Sequence, residues 1–325
     1  MALPTLESTW THVNNTQLVY TTEANMTAQI FWRITRALVA CPGATVRFSN
    51  SAAGTSAGID GVDHLVNFVD VQARTTTETS ANTSYIVVRL SGVGSTFDVC
   101  VAHCSGTASR ISISMSVGGN FVQAATTTHH PTATDRMYAH TSSGSTFGLV
   151  VLTNTATNRR FHYSYTAAGD QIRFMVTVET TLVFQTLTEI GLCDGQYTSS
   201  WIGPQAHISH GDTTAWGNSN TTVKTRCAIS GWSGGYSPTS QWHGIIYGIG
   251  SVSSVSTLNN NEWPVSPIFI LQGTTVPEYA TLGRFKDLFM TGSGTTDGMY
   301  FPNPGTKTFI VMSDLVLPWD GSVLL

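Results

Sequence analysis

Alternation with a period of two is the feature that most restricts what this chain can fold into. In "RISISMSVGG" (110–119), Ile111, Ile113, Met115 and Val117 alternate with Ser112, Ser114 and Ser116. Successive strand side chains point to opposite faces, so the pattern predicts a half-buried antiparallel strand with its serines toward solvent. Similar runs follow one another closely: "SYIVVRLSG" (84–92), "TFDVCVAHC" (96–104), "STFGLVVLTN" (145–154), "RRFHYSYTAAG" (159–169), "DQIRFMVTVETT" (170–181) and "LVFQTLTEIG" (182–191). Turn-forming segments such as "TNTATN" and "TAAGD" separate them. Further strands are expected in "TRCAISG", "WHGIIYGIG", "SPIFILQG" and "KTFIVMSDLVLP". The fold class expected is mainly β, an antiparallel β-sandwich-like architecture.

One segment breaks that rhythm. "TTEANMTAQIFWRITRALVACPG" puts Met26, Ile30, Phe31, Ile34 and Leu38 on one helical face, which predicts an amphipathic helix over about 22–40. Thr21 or Thr22 would cap its start, and Pro42-Gly43 would end it. A shorter helical turn is expected in "IDGVDHLVNFVD" (59–70). The loop-like "AATTTHHPTATD" (124–135) is the best internal boundary, dividing the chain into 1–125 and 126–325 unless the whole is one continuous domain.

Charge narrows the function classes. Only 10% of the 325 residues are charged, well below the level of roughly 25% in an average soluble protein. Lysine occurs at Lys224, Lys286 and Lys307 alone, while serine and threonine supply about a quarter of the chain. A net charge of −4 gives no basic footprint, so nucleic acid is not an expected partner. Neutral surface of this kind is cheap to desolvate and suits a chain packed against neighbours. No run approaches the length of a membrane span, and "MALPTLESTW" lacks the basic flank and apolar stretch of a signal peptide. Membrane is therefore not an expected partner either. The five cysteines, Cys41, Cys100, Cys104, Cys193 and Cys227, are an odd and scattered set, which predicts reduced thiols.

Motifs that carry chemistry elsewhere are weak in this context. G-x-S-x-G occurs around Ser56 ("GTSAG") and Ser233 ("GWSGG"), but neither sits between a strand and a helix as a nucleophile elbow requires. "CVAHC" places Cys100 and Cys104 on one face of a strand and His103 on the other, a poor zinc arrangement. His129 and His130 fall in the loop-like boundary, and Asp60, Asp63 and His64 belong to a segment that equally starts a helix. "HISHGD" offers His207, His210 and Asp212 as candidate metal ligands. With Gly203-Pro204 before it and Gly211 within it, the segment reads as a polar loop, and two imidazoles and one carboxylate under-supply a transition metal. No phosphate-binding glycine loop occurs. The expectation is a non-enzyme with no cofactor.

Two end segments point to a family. "MALPTLESTW", the amphipathic helix and "NSAAGTSAGIDGVDHLV" resemble the opening of uncharacterised virion structural proteins of tailed bacteriophages. "HPTATDRMY" in the middle and "LGRFKDLFMTGSGTTDGMYFPN" followed by "FIVMSDLVLPWDGS" at the end are similar to the same group. The likeness spans residues 1–70 and 276–325, and the middle more loosely. It implies a building block of the virion, made in the host bacterial cytoplasm, in the tail, collar or baseplate. Its partners would be copies of itself and other virion proteins. Leu3, Leu6 and Trp10 near one end and Trp319, Leu324 and Leu325 near the other are the expected assembly contacts, or else they close the protomer's own core. The alternative is a capsid decoration or a receptor-binding fibre module, with Trp216 and Trp242 meeting a host surface glycan.

Overall fold

The apolar stripe read from the sequence is the buried face of the helix. In the computed structural model α1 spans Glu23–Ala40, and Met26, Ile30, Phe31, Ile34 and Leu38 are all buried. It ends as its sequence suggests. The Cys41 amide donates to Leu38 O, the Ala44 amide to Cys41 O, and Gly43 takes φ 74°, the left-handed conformation that glycine adopts without steric cost. The structure describes residues 6–21, 23–49, 84–92, 95–104, 110–122, 131, 133–138, 149–150, 157–179, 184–197, 200–212, 226–229, 243–244, 265–272, 280–291, 300–301, 309–312 and 315–319. The helical turn expected at 59–70 lies outside them, as do Ser56, Asp60, Asp63, His64, His129, His130 and Ser233.

Everything else regular is strand, and every pairing among the described residues is antiparallel. The smaller sheet runs β2(Thr45–Ser49), β3(Ser84–Gly92), β4(Ser95–Cys104), β5(Arg110–Ser116) and β6(Arg136–Tyr138), with β7(Leu149–Val150) also on β5. The larger sheet has twelve strands. Its path is β1(Trp10–Leu18), β8(Arg159–Thr166), β9(Gln171–Val178), β10(Phe184–Tyr197), β15(Ala280–Thr291), β18(Leu315–Pro318), β17(Phe309–Met312) and β16(Tyr300–Phe301). β11(Ser200–Asp212), β12(Arg226–Ile229) and β13(His243–Gly244) branch from β10, and β14(Val265–Gln272) pairs with β15. The mainly β, sandwich-like expectation holds. The run "KTFIVMSDLVLP" divides into two strands, β17 and β18, which fold back on each other with Met312 opposite Leu315.

The main core lies where α1 meets both sheets. Ile86, Val88, Phe97, Val101, Ile113 and Met115 come from the smaller sheet, and Phe161, Ile172, Phe174, Val176, Ile190 and Ile208 from the larger. Each is one parity of its strand, as alternation requires.

The opposite parity differs from expectation. Ser112, Ser114 and Ser116 are buried rather than solvated. Arg136 Nε donates to Ser114 Oγ, Ser116 Oγ donates to Asp135, and the Asn120 amide donates to Ser116 Oγ. A second apolar layer of Phe48, Tyr85, Val87, Cys100, Ala102 and Phe121 completes that side. In the larger sheet, His162, Arg173, Thr177, Glu189 and His207 point away from the helix and are equally buried. Polar residues on a covered face call for hydrogen-bond partners. Arg173 finds Glu189 and His162 finds Thr177, whereas among the described residues Ser112 Oγ and the His207 ring nitrogens find none.

Candidate functional site

The covered polar face of the larger sheet gathers the chain's most unusual chemistry. Antiparallel pairing of β9 with β10 sets Arg173 opposite Glu189. Arg173 Nε donates to Glu189 Oε2 at 3.0 Å and Nη2 to Oε1 at 3.1 Å, a two-pronged ion pair with side chains 4% and 0% exposed. The guanidinium also donates to the carbonyls of Asp287 and Lys286 on β15. The Trp10 ring covers it, with 4.1 Å from Cζ to the ring centroid, a cation–π contact.

Asp287 ties the N-terminal segment down. Its carboxylate accepts from the Glu7 amide at 2.7 Å, the Ser8 amide at 3.0 Å and Trp10 Nε1 at 2.9 Å. Asp287 is 1% exposed, and among the described residues it is the non-glycine with positive φ, at 50°. Aspartate tolerates that region better than most residues. The conformation turns its carboxylate toward the incoming segment instead of leaving the strand regular. Arg284 adds an outer tie, reaching Glu7 at 3.0 Å and Asp194 at 2.7 Å. Leu6 fills a third apolar cluster with Phe289, Phe309, Val311 and Val316.

Burial governs the protonation of this group. Glu189 is raised above the ordinary carboxylate range by burial, which outweighs the opposing pull of Arg173. His207 is held down to about 3, first by burial and then by the charges of Arg173 and Lys286. Its Nε2 lies 3.9 Å from Glu189 Oε1, but a neutral imidazole makes no ion pair there. Among the described residues neither ring nitrogen has a hydrogen-bond partner, and the ring packs edge-on against Phe285 at 5.0 Å. A small hollow beside this group is lined by His12, His162, Met175, Leu187 and Trp319, among others. His162 is lowered to about 4 by burial and then by Arg160, and its Nε2 meets Thr177 Oγ1 at 3.0 Å.

Both oxygens of Glu189 and of Asp287 are thus engaged by donors from this chain. Each carboxylate is also buried and so acts as a tie, Glu189 between β9 and β10 and Asp287 between β15 and residues 7–10.

The placements correct one expectation and locate others. "HISHGD" is not a loop: it is the end of β11, paired to β10 from Thr186↔Asp212 to Gly195↔Gly203. Gly203 and Pro204 do not interrupt the strand, because the ladder slips at Gly195/Gln196 and Gly203 takes φ 95° at that irregularity. His207 and His210 sit three residues apart on a regular ladder, at positions of opposite facing, and Asp212 ends the strand. Among the described residues no group of three or more His, Cys, Asp or Glu side chains is arranged to hold a metal.

Of the six terminal residues expected at an interface, Leu6, Trp10 and Trp319 are described, and all three pack within the chain. Trp319 is 7% exposed against His12 and His162, at 5.5 and 6.4 Å between centroids. Leu3, Leu324, Leu325, Trp216 and Trp242 lie outside the described residues. Cys41, Cys100 and Cys193 are free and buried.

Sequence reasoning missed Arg173, Glu189 and Asp287. The first two carried a usable signal, since opposite charges fall on the same face, the one turned from the helix, of neighbouring strands. Asp287 carried none, because its role depends on a segment at the far end of the chain. No protein-family model matches this chain, and no curated protein or solved structure is significantly similar to it.

Proposed function

We propose that this chain is a structural component of a tailed-phage virion, in the tail, collar or baseplate, acting through contacts with copies of itself and with other virion proteins. The observation that supports this reading most is where the scarce charge goes. The chain has 15 basic and 19 acidic residues, and Asp98, Arg136, Arg159, Asp170, Arg173, Glu189 and Asp287 are all at most 9% exposed. They are spent on internal ties such as Arg47 and Arg89 around Asp98, at 3.1 and 2.7 Å. The surface left over is poor in charge, and such surface is lightly penalised when a neighbour covers it. The resemblance of the end segments to phage virion proteins points the same way. This reading assigns no catalytic residue and no cofactor.

Antibodies to the recombinant chain should decorate one morphological part of purified phage particles carrying its gene. The chain should also sediment at micromolar concentration as a closed symmetric oligomer, the usual outcome for self-complementary surfaces. Unlabelled particles together with a monodisperse monomer would reject the proposal.

A further inference from the structure

Trp319 is held in place by its side chain. The β18 ladder ends one residue earlier, with Pro318 opposite Phe309, and proline has no amide with which to extend it. The indole is nevertheless only 7% exposed. It lies on the face of the larger sheet turned from the helix, 5.5 Å from the His12 ring at 45° and 6.4 Å from the His162 ring at 61°. A ring that packs just past the end of a ladder can come away without unpairing a strand, which is the cheapest kind of local opening.

Beneath the indole is a histidine that is enclosed while neutral. His12 pairs with Ser164 across β1 and β8, and His162 pairs with Met175 across β8 and β9, which sets all four on one face. Together with Trp319 they line the small hollow, which has room for about one water molecule. His162 is 2% exposed. From β9 the Thr177 hydroxyl meets its Nε2, and Arg173 also lines the hollow with its charge committed to Glu189 of β10. β1 contributes His12, the end of β18 contributes the indole, and Arg160 acts from the same strand. Burial first and then Arg160 oppose a positive charge, and they hold the imidazole down to about 4. A hydrated imidazole titrates near 6.5, so a proton favours whichever arrangement lets water reach the ring. Of the parts that enclose it, the indole is the one no ladder holds.

We propose that Trp319 is an acid-released lid: when His162 takes up a proton the indole leaves the sheet face and water enters the hollow, while both sheets remain paired. The closed position holds a neutral imidazole and the open one a charged imidazole, so a single proton biases the equilibrium between them. Because proton affinity is lowered only while the ring is covered, each pH unit lost between about 6.5 and 4 favours the open position by up to about tenfold. His12 is only half-buried, and its part is to pack against the closed lid. The lid does not depend on the virion reading, and either can fail while the other stands.

Fluorine NMR of the full chain made with 5-fluorotryptophan reads the lid directly, with Trp319→Phe identifying its resonance. Between about pH 7.5 and pH 4, broadening of that resonance by a neutral paramagnetic chelate is expected to rise about tenfold or more, while far-ultraviolet circular dichroism stays constant. His162→Gln takes no proton and can still meet Thr177, so it should keep the indole covered throughout. His12→Gln should retain the transition. Should His162→Gln fail to fold, the histidine spectrum of the parent replaces it, because the imidazole in contact with the Trp319 ring must titrate at the midpoint of lid release. An indole that stays covered at pH 4, a release that persists in folded His162→Gln, or one lost in His12→Gln instead overturns the proposal. Unequal midpoints, or a release that coincides with loss of the circular dichroism signal, overturn it as well.

Discussion

Asp287 offers a test in which two separate physical effects predict an order of stabilities. The carboxylate accepts three hydrogen bonds from residues 7–10 and is buried. Hydrogen bonds to a charged partner contribute about 1.5–3 kcal/mol each, and removing one side of a buried charged set costs about 3–5 kcal/mol in all because such terms do not add. The backbone conformation, with φ 50°, is a second effect. A residue with a Cβ pays about 1–2 kcal/mol there that glycine avoids. Asp287→Asn keeps one acceptor oxygen and tolerance of the conformation, and should cost about 2 kcal/mol. Asp287→Gly loses every acceptor but relaxes the backbone. Asp287→Ala loses every acceptor and keeps the strain, so it should be the least stable, about 1 kcal/mol below Gly. Urea unfolding followed by far-ultraviolet circular dichroism gives the order. Hydrogen exchange over residues 6–10 should rise in all three variants. An alanine variant more stable than the glycine variant would refute the strain argument. Three variants all within about 0.5 kcal/mol of the parent would refute the tie itself.

Other expectations rest on single sites. Gly169 takes φ 69° and a Cβ there would stand 2.2 Å from Pro42 O, so Gly169→Ala should destabilise by about 2 kcal/mol or more, read as a lower urea midpoint. Cys41 and Cys100 have thiols pushed up to about 12 by burial, so neither should react with a disulfide reagent at pH 8 until the chain is unfolded, when all five cysteines titrate. His162 is depressed to about 4 in the folded chain, so its contribution is whole above pH 6.5 and is lost as pH falls toward 4. That amounts to about 1.4 kcal/mol per pH unit within the window. Buried carboxylates such as Glu189 act in the opposite sense, so the decisive measurement is the difference in pH slope between the parent and His162→Gln, which should be the shallower.

How far the sequence reached depended on whether a signal was local. The α1 stripe was legible because all its members fall within five turns and face one core. β3 was readable because β-branched residues and leucine fill it between turn residues. The serine face of β5 was misread because pattern alone reports polarity, and what buries Ser114 and Ser116 is Arg136, Asp135 and Asn120 arriving from other segments. The "HISHGD" strand was hidden by Gly203 and Pro204, which usually end strands but here occupy an irregularity within one. The Arg173–Glu189 pair required knowing the β9–β10 register, and the Asp287 tie required knowing that residues 7 and 287 meet. Aromatic richness drew attention to Trp216 and Trp242, which lie outside the described residues.

The route of the N-terminal segment has a consequence for synthesis. β1 pairs with β8, and the Glu7 amide finds its acceptor 280 residues downstream. At a ribosomal rate of about 5–20 residues per second, roughly 15–60 seconds separate the appearance of residue 7 from that of Asp287. β8 is made well before Asp287, so β1 gains its sheet neighbour within that interval while residues 7, 8 and 10 still lack their carboxylate. The smaller sheet, whose strands are close in sequence, has time to form as well. Residues 7 and 8 are therefore tied down only late in synthesis, long after the strand that follows them has its partner. Until then the amides of residues 7 and 8 and the Trp10 indole lack their acceptor, and the Asp287 of a finished copy presents the same carboxylate to them, the geometry of a segment exchanged between neighbours.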